Sequence, residues 1–217
     1  MDGRHENGFH EYDAHNTFSL MQTKATAEWL IEKKGLRPYI LSRSNFQGIQ
    51  KYAYHWLGDN WSWVEYMVAS VKSIYEYQLF GLPFMGCDLC GFNGDAVGDL
   101  CTRWHQVGTL FPFARNHNQN ATTSQEPYVF NFTLPKNVSD NQNITYTDLI
   151  RTAIRNRYTF TRYYYSHFWK INEHGGSFFK PLFFEFGDEP LAYKVIEKNM
   201  LLGSALKASV ETTNLTK

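Results

Sequence analysis

The sequence predicts an α/β protein. Short apolar runs end in a polar residue, stretches at helical spacing lie between them, and glycines or capping residues mark the joints. Strands alternating with helices in this way imply parallel β/α units.

Asn16 or Thr17 can cap a first helix through Ala25, Ala27, Leu30 and Ile31, with basic residues in the last turn of Lys33-Lys34-Gly35 and glycine as the stop. Pro38-Tyr39-Ile40-Leu41-Ser42-Arg43 then reads as a short buried strand, and Tyr52 to Asp59 as a second. Ser62 with Glu65 forms a capping-box pattern opening a helix through Met67, Val71, Ile74 and Tyr75 to Gly81. Leu82 to Asp88 gives a third strand, and Leu100, Trp104, Val107 and Leu110 space a helix. A polar stretch from about Asn116 to Asn143 follows. Thr145 and Asp148 cap a further helix on Leu149, Ile150, Ala153, Ile154 and Tyr158, broken by Gly175-Gly176, and Pro181 to Phe186 makes a fourth strand. The first three strands end in Arg43, Asp59 and Asp88. In β/α barrels the chemistry sits at the carboxyl ends of strands, so these three are site candidates; strands also simply turn polar on entering loops.

Composition narrows the function. Lys plus Arg and Asp plus Glu number 21 each, and the isoelectric point is about 7.1, so the basic surface that holds nucleic acid is lacking. Aromatic residues make up 17% of the 217 residues, which together with 43% hydrophobic residues excludes a disordered chain. No apolar run approaches the roughly 20 residues of a bilayer span. The length suits one large domain or two small ones, slightly short of the roughly 250 residues of a full eight-stranded barrel. Cys87, Cys90 and Cys101 permit one bridge and one free thiol. Metal binding through Cys87-x-x-Cys90 is a competing reading, disfavoured because no second cysteine pair or His-x-His spacing accompanies it. The N-terminus carries no hydrophobic signal core, which taken literally places the chain in the cytosol. Six N-x-S/T sequons, at Asn60, Asn120, Asn131, Asn137, Asn143 and Asn214, point instead to the secretory route, with a signal peptide absent from this sequence.

Seven motifs stand in order along the chain: Arg37 to Ser44, His55-Trp56-Leu57-Gly58-Asp59-Asn60, Gly86-Cys87-Asp88-Leu89-Cys90-Gly91-Phe92, Cys101 to Trp104, Phe111 to Asn118, Gln125 to Tyr128 and Pro181 to Phe186. Together they resemble glycoside hydrolase family 31, closest to its lysosomal acid α-glucosidase and maltase-type members. The resemblance implies roughly the last four β/α units of a (β/α)8 TIM barrel over residues 1–206, with 207–217 the start of a following β-domain or a tail. It implies a retaining α-glucosidase working with two carboxyl groups. Asp59, the aspartate of an H-W-x-G-D motif, would be the acid/base, and Trp56 and His55 beside it could exclude water and keep it protonated. As an ordinary residue, Asp59 would be a helix N-terminal aspartate near Ser62, with its pKa lowered rather than raised by the dipole.

By the same resemblance Arg43 and His117 would bind sugar, Trp56 and Phe92 would wall the terminal glucose subsite, and Asp88 would organise or touch it. Without the resemblance, Arg43 reads as a barrel-mouth ion pair, with Asp88 as one partner; His117 reads as a solvated loop histidine and the rings as core. Cys90 and Cys101 correspond to a disulfide pair of secreted members. The substrate implied is an α-glucoside or maltooligosaccharide, with no metal and no cofactor, in a lysosomal or extracellular setting. The family's nucleophile motif, W-x-D-M-N-E in type, does not occur here, so the chain is expected to be a fragment, inert alone and missing its barrel half. A non-catalytic carbohydrate-binding protein and a half-enzyme pairing with a second chain are the other readings. Lys180 and Lys207 also depart from the family's pattern.

Overall fold

Lys33, Lys34 and Gly35 end the first helix where their chemistry directs. Gly35 adopts φ 64° and its N–H returns to the Ile31 carbonyl, while the two lysines sit at the negative end of the helix dipole. Helix α1 spans Glu11–Lys34 and so begins earlier than Asn16. Acidic Glu11 and Asp13 favour its first turn, and Glu11 is gripped by His5 Nε2 at 2.6 Å and His15 Nδ1 at 2.5 Å.

The computed structural model describes residues 2–135, 143–194 and 196–210, so the sequons at Asn137 and Asn214 and most of 207–217 lie outside the described residues. The chain divides into two compact units, Met1–Trp56 and Leu57–Lys217.

In the first unit, α1 buries the small side chains Ser19, Thr23 and Ala27, four residues apart on one face. Strands β1 (Leu41–Ser42) and β2 (Tyr54–His55) pair in parallel, Leu41 with Tyr54 and Ser42 with His55. Both are far shorter than the apolar runs around them. A buried His55 ring contacts the Ser42 carbonyl through Nδ1 at 2.7 Å, and burial lowers its pKa, which keeps the imidazole neutral.

In the second unit, helix α2 (Val64–Leu79) buries Met67, Val71, Ile74, Tyr75 and Gln78. Its N-cap is Trp63, with no side-chain cap. The Ser62–Glu65 capping box does not form because the helix begins one residue later than that pattern needs, with Ser62 ahead of the N-cap and its hydroxyl donating to the Gly94 carbonyl at 3.0 Å. Strand β3 (Gly86–Leu89) is wholly buried and pairs in parallel with β4 (Phe113–Asn116), Asp88 opposite Arg115. A Cβ at Gly86 would lie 1.7 Å from the Phe113 carbonyl oxygen, so this pairing requires glycine. Helix α3 (Gly98–Gly108) joins the two strands, completing a β/α/β unit.

Strand β4 was not expected, since Phe113-Ala114-Arg115-Asn116 is too short and mixed to show a period. It is set in place by Arg157 of α4 (Tyr146–Thr159), whose guanidinium donates to the carbonyls of Gly108, Thr109, Phe111 and Pro112. Helix α4 starts on the expected Thr145–Asp148 capping box. The single helix expected up to Gly175 is two. Phe160 stays right-handed, with its N–H turned to Arg157 and Tyr158, and α5 runs Thr161–His174.

The fourth expected strand is displaced. Strand β5 is Phe179–Pro181, and Leu182–Phe184 coil into a 3-10 turn, since proline ends a ladder for want of an N–H. β5 pairs antiparallel with β6 (Asn199–Leu202), and β6 with β7 (Leu206–Ser209), so the 206/207 boundary falls inside a hairpin turning at Gly203. The core of this unit gathers Ile74, Met85, Trp104, Phe111, Phe178 and Phe179, each fully buried. The fold is α/β. Its strands among the described residues form sheets of two, two and three, with no closed barrel.

Candidate active site

The polar residues of the second unit collect where β3 and β4 end. After Leu57, whose N–H bonds the Gly86 carbonyl at 3.0 Å, the chain passes alongside the end of β3 and presents Asp59 to solvent. The next residue, Asn60, is buried and acts as the rivet. Its side-chain amide donates to the Asp88 carbonyl at 2.8 Å, and its side-chain oxygen accepts the Phe92 N–H at 2.9 Å. The approach is close enough that a Cβ on Gly91 would lie 2.3 Å from the Ser62 nitrogen, and Gly91 has φ 95°. Glycine is therefore required there, and Cys90 before it also takes a positive φ of 73°.

Asp88 is fully buried. Its Oδ1 accepts from Arg115 Nε at 2.8 Å and from a terminal nitrogen of the same guanidinium at 2.6 Å, the cross-strand pair that the β3–β4 register creates. Its Oδ2 is buried and has no hydrogen-bond partner among the described residues. Burial pushes the carboxyl up. The Arg115 bonds and charge and the His117 charge pull it down, and the Asp59 charge adds to the rise. Burial wins because only one oxygen is served. A buried Asp88 braces the site from beneath, and Arg115 is a partner that the sequence did not indicate.

His117 lies exposed just past β4, and its ring faces Phe92 at 5.1 Å between centroids. The loops that carry them are tied by the Gln119 N–H to the Phe92 carbonyl at 3.0 Å. Beneath them Gln125 is buried, and its amide nitrogen reaches the carbonyls of Gly91 at 3.0 Å and His117 at 3.2 Å and the Asn116 side-chain oxygen at 3.1 Å. Gln125 and Asn60 are thus the positioning residues of this site. Both stand inside motifs already noted, yet nothing in their residue type marks them as hubs.

Asp59, Asp88, Phe92 and His117 are brought to one end of the β3–β4 pair. Arg43 and Trp56 belong to the first unit, Arg43 exposed just after β1 and Trp56 half-buried just after β2. The exposure of Asp59 differs from the water-excluded setting expected around it.

Cys90 and Cys101 form a disulfide that pins the turn after β3 to helix α3. His105 Nδ1 lies 3.6 Å from each sulfur and 2.8 Å from the Cys101 carbonyl. These three residues are a buried group of metal-ligand types, but sulfurs bonded to each other offer no thiolate. Cys87 is buried and free, its thiol receives the Trp104 indole N–H at 3.4 Å, and burial pushes its pKa up to about 12. Such a thiol is inert packing, not half of a Cys87–Cys90 metal site.

An α/β fold with carboxylates, a histidine and an aromatic ring at the carboxyl ends of parallel strands has the form of a β/α-barrel enzyme site. Residues 1–167 match the TIM-barrel domain of the glycosyl hydrolases family 31, and the chain belongs to that family, whose members are glycoside hydrolases. Rat lysosomal alpha-glucosidase is 37% identical over 195 residues, 90% of this chain and 19% of that protein. Alpha-glucosidase of Mucor javanicus is 38% identical over 183 residues, 84% of this chain and 20% of that protein. The crystal structure of the glucosidase II alpha subunit in its Tris-bound form superposes on 98% of this chain and 22% of its own, with a TM-score of 0.84 and 28% identity. The chain spans about a fifth of the length of these relatives.

Proposed function

We propose that this chain is the carboxyl-terminal half of a family 31 catalytic barrel, roughly its last four β/α units, from a retaining α-glucosidase. Asp59 serves as the acid/base, protonating the departing glycosidic oxygen and then deprotonating the attacking water. The substrate class is a terminal α-glucoside, including maltooligosaccharides. His117 binds sugar hydroxyls, Phe92 offers an apolar face to its C–H groups, and Asp88 holds the strand ends through Arg115. The observation that carries the reading is the riveting of the H-W-x-G-D segment by Asn60 onto the Asp88–Phe92 loop, which fixes Asp59 at the strand ends.

Retention requires a second carboxylate about 5–5.5 Å from the first, acting as nucleophile. The W-x-D-M-N-E type motif that would supply it is not in this sequence. The nucleophile therefore comes from the other half of the barrel, and the isolated chain is inert. The disulfide and the names of lysosomal relatives support passage through the secretory route. Incubation of the purified chain with maltose or a chromogenic α-glucoside tests this: no turnover is expected, and turnover abolished by Asp59→Asn would show that the chain is complete as a catalyst.

A further inference from the structure

The sequons are not equivalent once folded. Asn60 is 6% exposed, and both ends of its amide are committed, the nitrogen to the Asp88 carbonyl and the oxygen to the Phe92 N–H. A sugar on that nitrogen would need its volume inside the packed turn and would break the rivet of the site. Asn131 is the opposite case. It is exposed at the end of the 3-10 turn Pro127–Phe130, and Thr133, which completes its sequon, is exposed too.

Asn120 and Asn143 are also exposed. What distinguishes Asn131 is the ring beside it. Phe132 is 51% exposed yet held edge-on against Tyr146, with ring centroids 5.3 Å apart. The turn that fixes it is closed by the Thr133–Thr145 bridge and by the Tyr146 N–H to the Phe132 carbonyl. Tyr128, 70% exposed, adds a second open ring on the same turn. A ring that is held by its neighbours and half exposed suits the apolar C–H face of an N-acetylhexosamine, and covering it removes apolar surface from water. The disulfide between Cys90 and Cys101 places folding in the oxidising compartment where such transfer takes place.

We propose that Asn131 carries an N-linked glycan seated on Phe132, and that Asn60 is never glycosylated in the folded chain. Transfer from a lipid-pyrophosphate-linked oligosaccharide breaks the sugar C1–O bond and forms C1–Nδ2. The lipid pyrophosphate leaves with the electron pair, and Nδ2 gives up one proton. The inference rests on the secretory-route reading above. The full chain is expressed through the endoplasmic reticulum of a eukaryotic cell, and soluble protein with Cys90–Cys101 closed is treated with peptide N-glycosidase in heavy-oxygen water and mapped by mass spectrometry. Heavy oxygen at position 131 and none at position 60 is the expected result. Thr133→Ala should remove one glycan per chain, while Ser62→Ala, which destroys only the Asn60 sequon, should leave the glycan mass unchanged. A bare Asn131, or a glycan at Asn60, in this disulfide-closed protein overturns the assignment. Free thiols at Cys90 and Cys101 in protein from its native cells would overturn the secretory route instead.

Discussion

Asn60 spans the gap between two chain segments by giving its amide hydrogen to the Asp88 carbonyl at 2.8 Å while its oxygen receives the Phe92 N–H at 2.9 Å. Both partners are backbone groups, one within β3 and one in the turn that follows it. Replacing Asn60 by leucine takes this partner from the Asp88 carbonyl, at a cost of about 1–3 kcal/mol, and leaves the Phe92 N–H with its bond to the Asn60 backbone carbonyl at 3.1 Å. Urea denaturation of Asn60→Leu should show a loss of about 1–3 kcal/mol. A change within the scatter of surface substitutions would mean that the turn is held by its other contacts.

Asp88 gives the fold a pH dependence of definite sign. Its folded pKa is raised, chiefly by burial, so the native state keeps a proton that the unfolded chain releases near pH ~3.9. The stability from this group is full below that pH and is lost as pH rises through the folded pKa. Asp88→Asn removes the slope, keeping an oxygen for Arg115. Comparing stabilities of the two proteins between acid and neutral pH checks it: the difference should move in favour of the asparagine variant as pH rises, and the opposite trend would mean that Arg115 outweighs burial.

The bond between Cys90 and Cys101 closes a loop with a sequence separation of 11. By the chain-entropy account such a loop is worth about 3 kcal/mol. Chemical denaturation with and without reductant should differ by that amount, and in oxidising buffer the Cys90→Ser/Cys101→Ser variant should match the reduced protein. Equal stability under both conditions would show that helix α3 and the β3 turn hold each other without the bond.

Much of this was legible in residue types. Lys33-Lys34-Gly35 and Thr145 with Asp148 mark helix ends through local chemistry, and both structures follow it. The Ser62–Glu65 pattern does not cap α2 because the helix starts after Trp63, one residue on, and Ser62 turns its hydroxyl to the Gly94 carbonyl. Strand β4 is hidden because the segment leading into it is held by Arg157 of α4, which donates to four of its carbonyls, a long-range contact that leaves no period in four residues. In the site, Asp59, Asp88 and His117 stand out as titratable groups in distinctive motifs. Asn60, Arg115 and Gln125 do not, because their importance lies in the backbone groups and the carboxylate they meet once the two turns are folded together.

In the function proposed above, Asp59 is the proton-donating carboxyl of a family 31 α-glucosidase. The most direct test of that role is a hybrid in which this chain replaces the matching segment of rat lysosomal alpha-glucosidase, so that the rest of the barrel is supplied. Hydrolysis of maltose and of an aryl α-glucoside with a good leaving group is then compared with and without Asp59→Asn. Asp59→Asn should lower maltose hydrolysis on the order of 10²–10⁴-fold, with a smaller fall for the aryl substrate, whose leaving group needs less protonation. Equal hydrolysis of maltose by both hybrids would contradict that role.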